Sequence, residues 1–239
     1  MINILFAEVR EEMLGTIRNP AAVFFSMVMP AGFFALMVGM FGNSDRFEVT
    51  GIAAYGAFSV IMVVMNPGIG LAEARETGWL RVKRASGAPI GVTIAAKVAA
   101  AIPYAVGVLA AMIATTLAFG GMAGGVGALT RTTLALVVGG LPFALFGLAA
   151  GARFGANAST ALLNGIITPM VVASGLWFPL EILPEAVQRI APWLPPFHLS
   201  ELAAAASTGD VRLSSLAVLG VTTAVGALVA ALAYRSADV

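Results

Sequence analysis

Charged residues divide this chain into long apolar stretches. Six stretches without Asp, Glu, Lys or Arg are each longer than 20 residues; they lie between Arg18 and Asp45, Glu48 and Glu73, Lys97 and Arg131, Arg131 and Arg153, Arg153 and Glu181, and Arg212 and Arg235. A helix needs about 20 apolar residues to cross the hydrocarbon core, where backbone polar groups must bond within their own segment. The pattern predicts six transmembrane helices, near residues 20–42, 51–72, 97–119, 132–152, 158–178 and 213–234.

The composition agrees with a membrane protein and excludes several other classes. Of the 239 residues 59% are hydrophobic and 10% are charged, whereas soluble domains carry about 25% charged residues. The net charge of +1 lacks the basic excess of a nucleic-acid-binding protein. The chain has no cysteine, which excludes a disulfide scaffold and a thiolate zinc site. We therefore expect a single all-α membrane domain over residues 1–239 that binds neither nucleic acid nor metal.

The basic residues predict the orientation. If the N-terminus is cytoplasmic, nine of the 13 Lys and Arg residues fall on the cytoplasmic side, as the positive-inside rule requires. Both termini are then cytoplasmic. If residues 1–18 form a helix, their apolar side chains lie on one side of it, which predicts an amphipathic helix in the inner interface. A frayed cytoplasmic tail is the alternative. The members of the apolar side are Ile2, Leu5, Phe6, Val9, Met13 and Ile17.

Several kinds of chemistry are missing from the predicted spans. No Asp, Glu or Arg lies in the middle of a span, and the only histidine, His198, falls in an outer loop. Ion-coupled carriers keep such groups at membrane depth, so a carrier of that kind is not expected. The chain also lacks the G-x-x-x-x-G-K-[ST] pattern of a P-loop, the motif that cradles nucleotide phosphates. Energy for transport must therefore come from a partner or from a substrate gradient.

The cytoplasmic loop over residues 73–89 combines charge with exposed apolar residues. Its acids come first and, apart from Arg75, its bases come last, an order that suits the dipole of one short helix, and Trp79, Leu80 and Val82 interrupt the charges. An ordinary positive-inside loop would explain the charges. A Trp-Leu pair is unnecessary in such a loop, and favours a helix that docks on a soluble partner.

The outer segment before the last span is rich in proline and aromatic residues. Five prolines between Gly175 and Pro196 break it into short pieces, and its aromatic residues are typical of membrane interfaces. We expect one or two short re-entrant helices over residues 178–207, acting either as an outer gate or as a structural plug. The candidate gate residues are Trp177, Phe178, Pro179, Trp193 and Pro195.

At these two loops the sequence resembles the type-2 ABC export permeases, a family that includes antibiotic-resistance (multidrug) and polysaccharide exporters. The first similar stretch runs from Glu73 to Ala85, with an acid-base-acid-x-Gly run before a basic segment. The second covers 174–184 and continues in 192–198, Pro-Trp-Leu-Pro-Pro-Phe-His. The order of elements is also similar along essentially the whole chain. One departure is Gly87, where relatives often have a bulkier residue or a second proline.

The resemblance implies a transporter built from two permeases and two separate ATPase subunits in a bacterial plasma (inner) membrane. This chain then binds no cofactor itself, and ATP with Mg²⁺ belongs to the partner ATPase. The second loop would be a coupling helix that docks on that subunit, and a second copy of the permease would complete a homodimer. The coupling contacts carried over are Glu73, Arg75, Glu76, Gly78, Leu80 and Arg81.

The residues leave the substrate open, and alternatives to an exporter remain. An apolar or amphipathic substrate is expected, since the spans hold no charged pocket; a candidate path at the dimer interface contains Met29, Met37, Asn66 and Asn164. One alternative is a membrane scaffold or assembly subunit without transport of its own. Another is a membrane enzyme that uses Ser174 and His198.

Overall fold

A computed structural model describes residues 2–18, 20–24, 28–41, 45–85, 90–118 and 125–235, which are helical over most of their length and contain no strand. The all-α class is therefore confirmed. Short 3-10 turns at Leu180–Ile182 and Ala191–Trp193 join the later helices. The α-helices are α1 (Ile2–Ile17), α2 (Pro20–Val23), α3 (Met29–Phe41), α4 (Asp45–Glu76), α5 (Trp79–Ala85), α6 (Ile90–Ala118), α7 (Gly125–Gly139), α8 (Leu141–Arg153), α9 (Ala156–Ala173), α10 (Glu185–Ile190), α11 (Pro195–Thr208) and α12 (Leu213–Arg235).

Five helical segments in the described residues are long and apolar enough to cross a membrane: Val49–Glu76, Val98–Thr115, Gly125–Arg153, Ala156–Ala173 and Leu213–Ala233. They coincide with the last five predicted spans. The first predicted span, 20–42, contains α2 and the shorter apolar helix Met29–Met40, while residues 25–27 and 42 lie outside the described ranges. The sixth span therefore stays a prediction.

Helix α4 lies at the centre of the bundle. It packs against α3, α6, α8, α9 and α11, and Val60 and Ile61 in its middle are completely buried. A helix that is apolar on every side is typical of such a central position. Helix α12 differs from α4, because 11% of its most apolar stretch is buried inside the bundle. It packs mainly against α8 and α11.

Helices α4 and α8 approach until their backbones touch. A Cβ atom on Gly147 would lie 2.7 Å from the carbonyl oxygen of Met65, and in the same way Gly68 lies against the backbone of Gly147 and Gly151 against the backbone of Gly68. Small residues allow such close helix packing in membranes. The glycines at 147 and 151 are spaced four apart, as a small-xxx-small pattern requires.

A break at Gly140 separates α7 from α8, where the sequence predicts one span over 132–152. Pro142 occupies the first turn of α8, a position where its missing N–H costs nothing because that group would have no intrahelical partner. The two helices still follow one path, Gly125–Arg153. The proline thus divides the span into two helices without ending it.

Helix α11 runs antiparallel to α7. Leu199 lies over Gly139, the Thr132 hydroxyl donates to the carbonyl of Ala203 (3.2 Å), and Arg131 donates to the carbonyl of Ala206 (2.8 Å). The N-terminal end of α11 therefore lies beside the end of α7, about halfway along the α7–α8 path. Helix α11 also packs against α4 and α12.

The N-terminal segment is helical, as the sequence predicts for residues 1–18. Helix α1 packs along α6, and Met13 from its apolar side contacts Val63 of α4 and Ala101 of α6. Phe6, on the same side, is exposed. The apolar side is thus shared between the bundle and the surroundings, and its place in the inner interface stays a prediction.

Candidate functional sites

One end of the bundle, here called the charged end, comprises residues 73–82 and the turn at 153–155 between α8 and α9. Helix α4 continues through Glu76, and the chain then turns at Thr77 and Gly78 into α5. Gly78 has φ +72°, a left-handed conformation that glycine adopts at little cost. The single short helix expected to carry both the acids and the bases is therefore wrong: the acids end α4, and Arg81 lies on α5.

Helix α5 is anchored by one side chain and presents others outward. Leu80 is 4% exposed and packs with Leu71, Ala74 and Ala152. Trp79 and Val82 are 52% and 55% exposed. They are three residues apart and so share one side of the helix. The sequence-based contact set includes Leu80 and omits Trp79 and Val82, although the Trp-Leu pair already marked this helix.

Two of the predicted coupling residues contact other helices of this same chain. Arg75 donates from Nη1 to the carbonyl of Gly151 at 2.9 Å, and the carboxylate of Glu76 lies against Gly155. Arg75 is half-buried, whereas Glu73, Glu76 and Arg81 are exposed. Residues 86–89 of the predicted coupling loop lie outside the described residues.

The other end, here called the proline-rich end, comprises residues 174–201 with the parts of α3, α4 and α12 that meet them. Trp177 lies between two phenylalanines, stacked on Phe33 (6.1 Å between ring centroids) and edge-on to Phe58 (5.5 Å). The Tyr55 hydroxyl of α4 donates to the carbonyl oxygen of Trp177 at 2.8 Å. These contacts hold the chain after α9 against α3 and α4.

Two buried donors at this end have no hydrogen-bond partner among the described residues: Nε1 of Trp177 and Oγ of Ser174. Buried polar groups are nearly always paired, so each such atom calls for an explanation. Of the other candidate gate residues, Trp193 is 84% exposed and Phe178 37% exposed, while Pro179 and Pro195 are half-buried. The two tryptophans of the predicted gate thus have opposite surroundings.

His198 is buried and bonded at both ring nitrogens. Its Nε2 lies 2.8 Å from the carbonyl of Pro192 and its Nδ1 lies 3.2 Å from Oγ of Ser215. Because a carbonyl can only accept, Nε2 carries a proton and donates it. Ser215 also contacts Glu201 at 3.2 Å. His198 is therefore committed to Pro192 and Ser215, and the pair with Ser174 that a membrane enzyme would need is not formed.

The four candidate path residues separate into two groups. Met37 is 7% exposed inside the core and Met29 packs against that core, so Met37 does not line a surface path as the sequence suggested. Asn66 and Asn164 are both exposed. They lie on α4 and α9, which pack against each other.

Comparison with known proteins identifies the family. The sequence model of the family described as "ABC-2 type transporter" matches residues 4–206. A protein of Bacillus subtilis (strain 168) named "Putative transport permease YvfS" is 24% identical over 207 residues, which cover 82% of each chain. The matched domain is the transmembrane component of such a transporter and has no ATP-binding site itself. With its apolar helices, the chain is a multi-pass membrane protein that belongs to the ABC-2 type transporter family.

Proposed function

We propose that this chain is the permease subunit of an ABC exporter, which moves an apolar or amphipathic substrate out of the cell with ATP hydrolysed on a separate subunit. The membrane is a bacterial plasma membrane, and both termini and the charged end face the cytoplasm. In this orientation nine basic residues lie on the cytoplasmic side and four on the outer side. This supports the orientation, since basic loops remain cytoplasmic.

The observation that carries this proposal is the construction of α5. Leu80 fixes the helix to α4 and α8, while Trp79 and Val82 stay exposed beside Arg81. An exposed aromatic residue next to an Arg is typical of the centre of a protein interface. When a docked subunit displaces α5, a helix held in this way passes the displacement to α4 and α8. Leu80 then serves as the anchor, and Trp79 and Val82 join Glu73 and Arg81 as contacts.

A second copy of the chain explains two polar residues on an apolar surface. Asn66 and Asn164 are exposed near the middle of α4 and α9, which would face them to lipid in a single copy. Polar groups at membrane depth normally meet other helices or a water-filled cavity. We therefore place the homodimer interface and the substrate path along this surface.

The proline-rich end is the proposed outer gate. The antiparallel course of α11 beside α7 supports a re-entrant segment over residues 178–207. In the closed state Trp177 would block the substrate path, held in place by its ring contacts with Phe33 and Phe58. When the gate opens, Nε1 of Trp177 and Oγ of Ser174, which have no partner among the described residues, would gain hydrogen bonds.

Purification in mild detergent, followed by identification and quantification of co-purifying proteins, tests the proposal. The native chain should retain a P-loop ATPase in equal ratio. The double variant Trp79→Ala with Val82→Ala should lose most of it, as should Glu73→Lys with Arg81→Glu. Val126→Ala with Leu213→Ala is the matched control, because both side chains are as exposed but far from the charged end.

A permease that carries no ATPase, even after cross-linking in intact cells, would overturn the exporter and favour the scaffold. Retention of the ATPase by the Trp79 and Val82 variant would reject the proposed contact surface alone. Export is then tested in vesicles that contain the purified complex: ATP-dependent accumulation of an amphipathic dye should require both subunits.

A further inference from the structure

We propose that Arg75 and Glu76 form a clamp that joins the end of α4 to the α8–α9 turn and transmits the movement of α5 to α9. The inference rests on the proposed function, because it supposes that an ATPase displaces α5. It gives a positioning role within the permease to two residues that the sequence alone assigns to the docking surface.

Arg75 is bound at the C-terminal end of α8. Its guanidinium donates to the carbonyl of Gly151 at 2.9 Å, and the last carbonyls of a helix lack intrahelical partners. The partial negative charge at that helix end favours a cation. Arg75 is half-buried, so this contact is screened less than one on the surface. It therefore ties the last turn of α4 to the last turn of α8.

Glu76, the last residue of α4, places its side chain at the start of α9. Its carboxylate lies against Gly155, the N-cap residue of α9, and a Cβ atom at that position would overlap the carboxylate. A helix N-terminus carries partial positive charge and favours an anion. Two adjacent residues of α4 thus place a cation at the end of α8 and an anion at the start of α9, with signs that suit both helix ends.

The packing beside the clamp prevents α4 and α8 from sliding independently. Gly68 and Gly151 touch backbone to backbone, and Gly147 fits against Met65, so shifting one helix along the other would drive the backbones together. Leu80 of α5 packs on α4 and on Ala152 of α8. A force on α5 therefore reaches both helices close to the clamp.

Helix α4 also holds the far end of α9. The Tyr55 hydroxyl donates to the carbonyl of Trp177, four residues beyond the end of α9. Movement that enters α9 at Gly155 consequently arrives at the residues that surround Trp177. The clamp and this hydrogen bond together make α9 the connection between the two ends of the permease.

Spin labels can follow this transmission because the chain has no native cysteine. Labels at Ile182→Cys and Leu213→Cys, exposed by 63% and 81%, report on the proline-rich end of the complex in nanodiscs. ATP should change their distance distribution when the permease is otherwise native. Arg75→Gln should reduce this change about tenfold, within the range of site-to-site coupling, while the amount of bound ATPase stays the same.

Two further variants and a control sharpen the result. Gly155→Ala should give the same loss, because its methyl group displaces the Glu76 carboxylate without changing any charge. Arg75→Lys should recover part of the response, since it keeps the cation but not the guanidinium fork. Arg153→Gln removes an exposed charge from the same turn and should behave as the native protein.

The outcomes separate the clamp from the proposed function. If Arg75→Gln and Gly155→Ala both respond to ATP normally, the clamp is rejected and the exporter stands. If Arg75→Gln loses the ATPase, Arg75 is a docking contact and the clamp is again rejected. If the doubly labelled native permease neither binds an ATPase nor responds to ATP, the proposed function fails and the clamp fails with it.

Discussion

The charged end and the proline-rich end of this bundle are held together in different ways. At the charged end, ionised side chains meet helix ends, and backbones touch through glycine: Arg75 binds Gly151 and Glu76 lies against Gly155. At the proline-rich end, aromatic contacts and neutral hydrogen bonds such as the Tyr55–Trp177 bond hold the chain after α9, and ion pairs among the described residues join only neighbouring segments of that end, Glu185 with Arg189 and Glu201 with Arg212. Buried donors without a partner in the described part of the chain occur near both ends, at Ser159 in the first turn of α9 and at Ser174 and Trp177 in the proline-rich end.

This difference suits a protein that is moved from one end and opens at the other. Backbone contact through glycine leaves little room for adjustment, since interiors are close-packed, and this favours movement of α4 and α8 as one body. Aromatic contacts and single hydrogen bonds cost less to exchange for others. We expect substitutions at the glycines that join α4 to α8 to affect folding most, and those at the proline-rich end to have graded effects.

Gly151→Ala should have the largest effect on stability. The added methyl group meets the backbone of Gly68, which cannot rotate away, so we expect a loss of about 3 kcal/mol or more in the free energy of unfolding. Thermal unfolding and the monodisperse yield in detergent measure it. Gly220→Ala is the control, because nothing lies within 4 Å of its Cβ position. Equal stability of the two variants would contradict the close α4–α8 packing.

His198→Ala should destabilise the proline-rich end by about 1–3 kcal/mol, because it leaves the Pro192 carbonyl without its donor and Ser215 with Glu201 alone. Ser200→Ala is the control on the same helix, since that hydroxyl bonds only locally, to Phe197 at 2.9 Å. Thermal unfolding compares them. Export should survive the His198 variant at temperatures where it is folded; abolished activity in a fully folded protein would instead support an enzymatic role.

Tyr55→Phe should cost about 1 kcal/mol, the net value of one hydrogen bond, and should loosen Trp177. With Trp79 and Trp193 replaced by Phe, Trp177 is the remaining tryptophan of the three, so its emission and its quenching by acrylamide report on the proline-rich end. In this background, acrylamide should quench Trp177 more strongly in the Tyr55→Phe variant than in the protein that keeps Tyr55. Ser59→Ala, which removes a bond within α4, should leave the quenching unchanged.

Glu185→Gln should have the smallest effect. Glu185 pairs with Arg189 at 2.6 Å, but the two side chains are 78% and 76% exposed, and exposed pairs of this kind contribute about 0–1 kcal/mol. Thermal unfolding should show a shift close to the error of the measurement. A loss of stability comparable to that of Tyr55→Phe would mean that α10 has a more important structural role in the proline-rich end.

The apolar stretches between charges predict the all-α class and five of the helical spans, because the length of a span follows from bilayer thickness and backbone hydrogen bonding. The break at Gly140 was missed, since a proline can either kink a helix or start a new one. The division of residues 73–85 between α4 and α5 was missed for a similar reason: the order of the charges suits one helix, but Gly78 allows a turn.

The sequence by itself determined that this protein is a bundle of membrane helices with a charged segment after the second span and a proline-rich segment before the last one, since both patterns are local. Only the tertiary structure decided which way the side chains of those segments face. Leu80 points inward and Trp79 outward, and Arg75 binds the end of α8. Such choices depend on neighbours distant in sequence, because the carbonyl of Gly151 becomes a partner for Arg75 only after α4 and α8 have packed through their glycines.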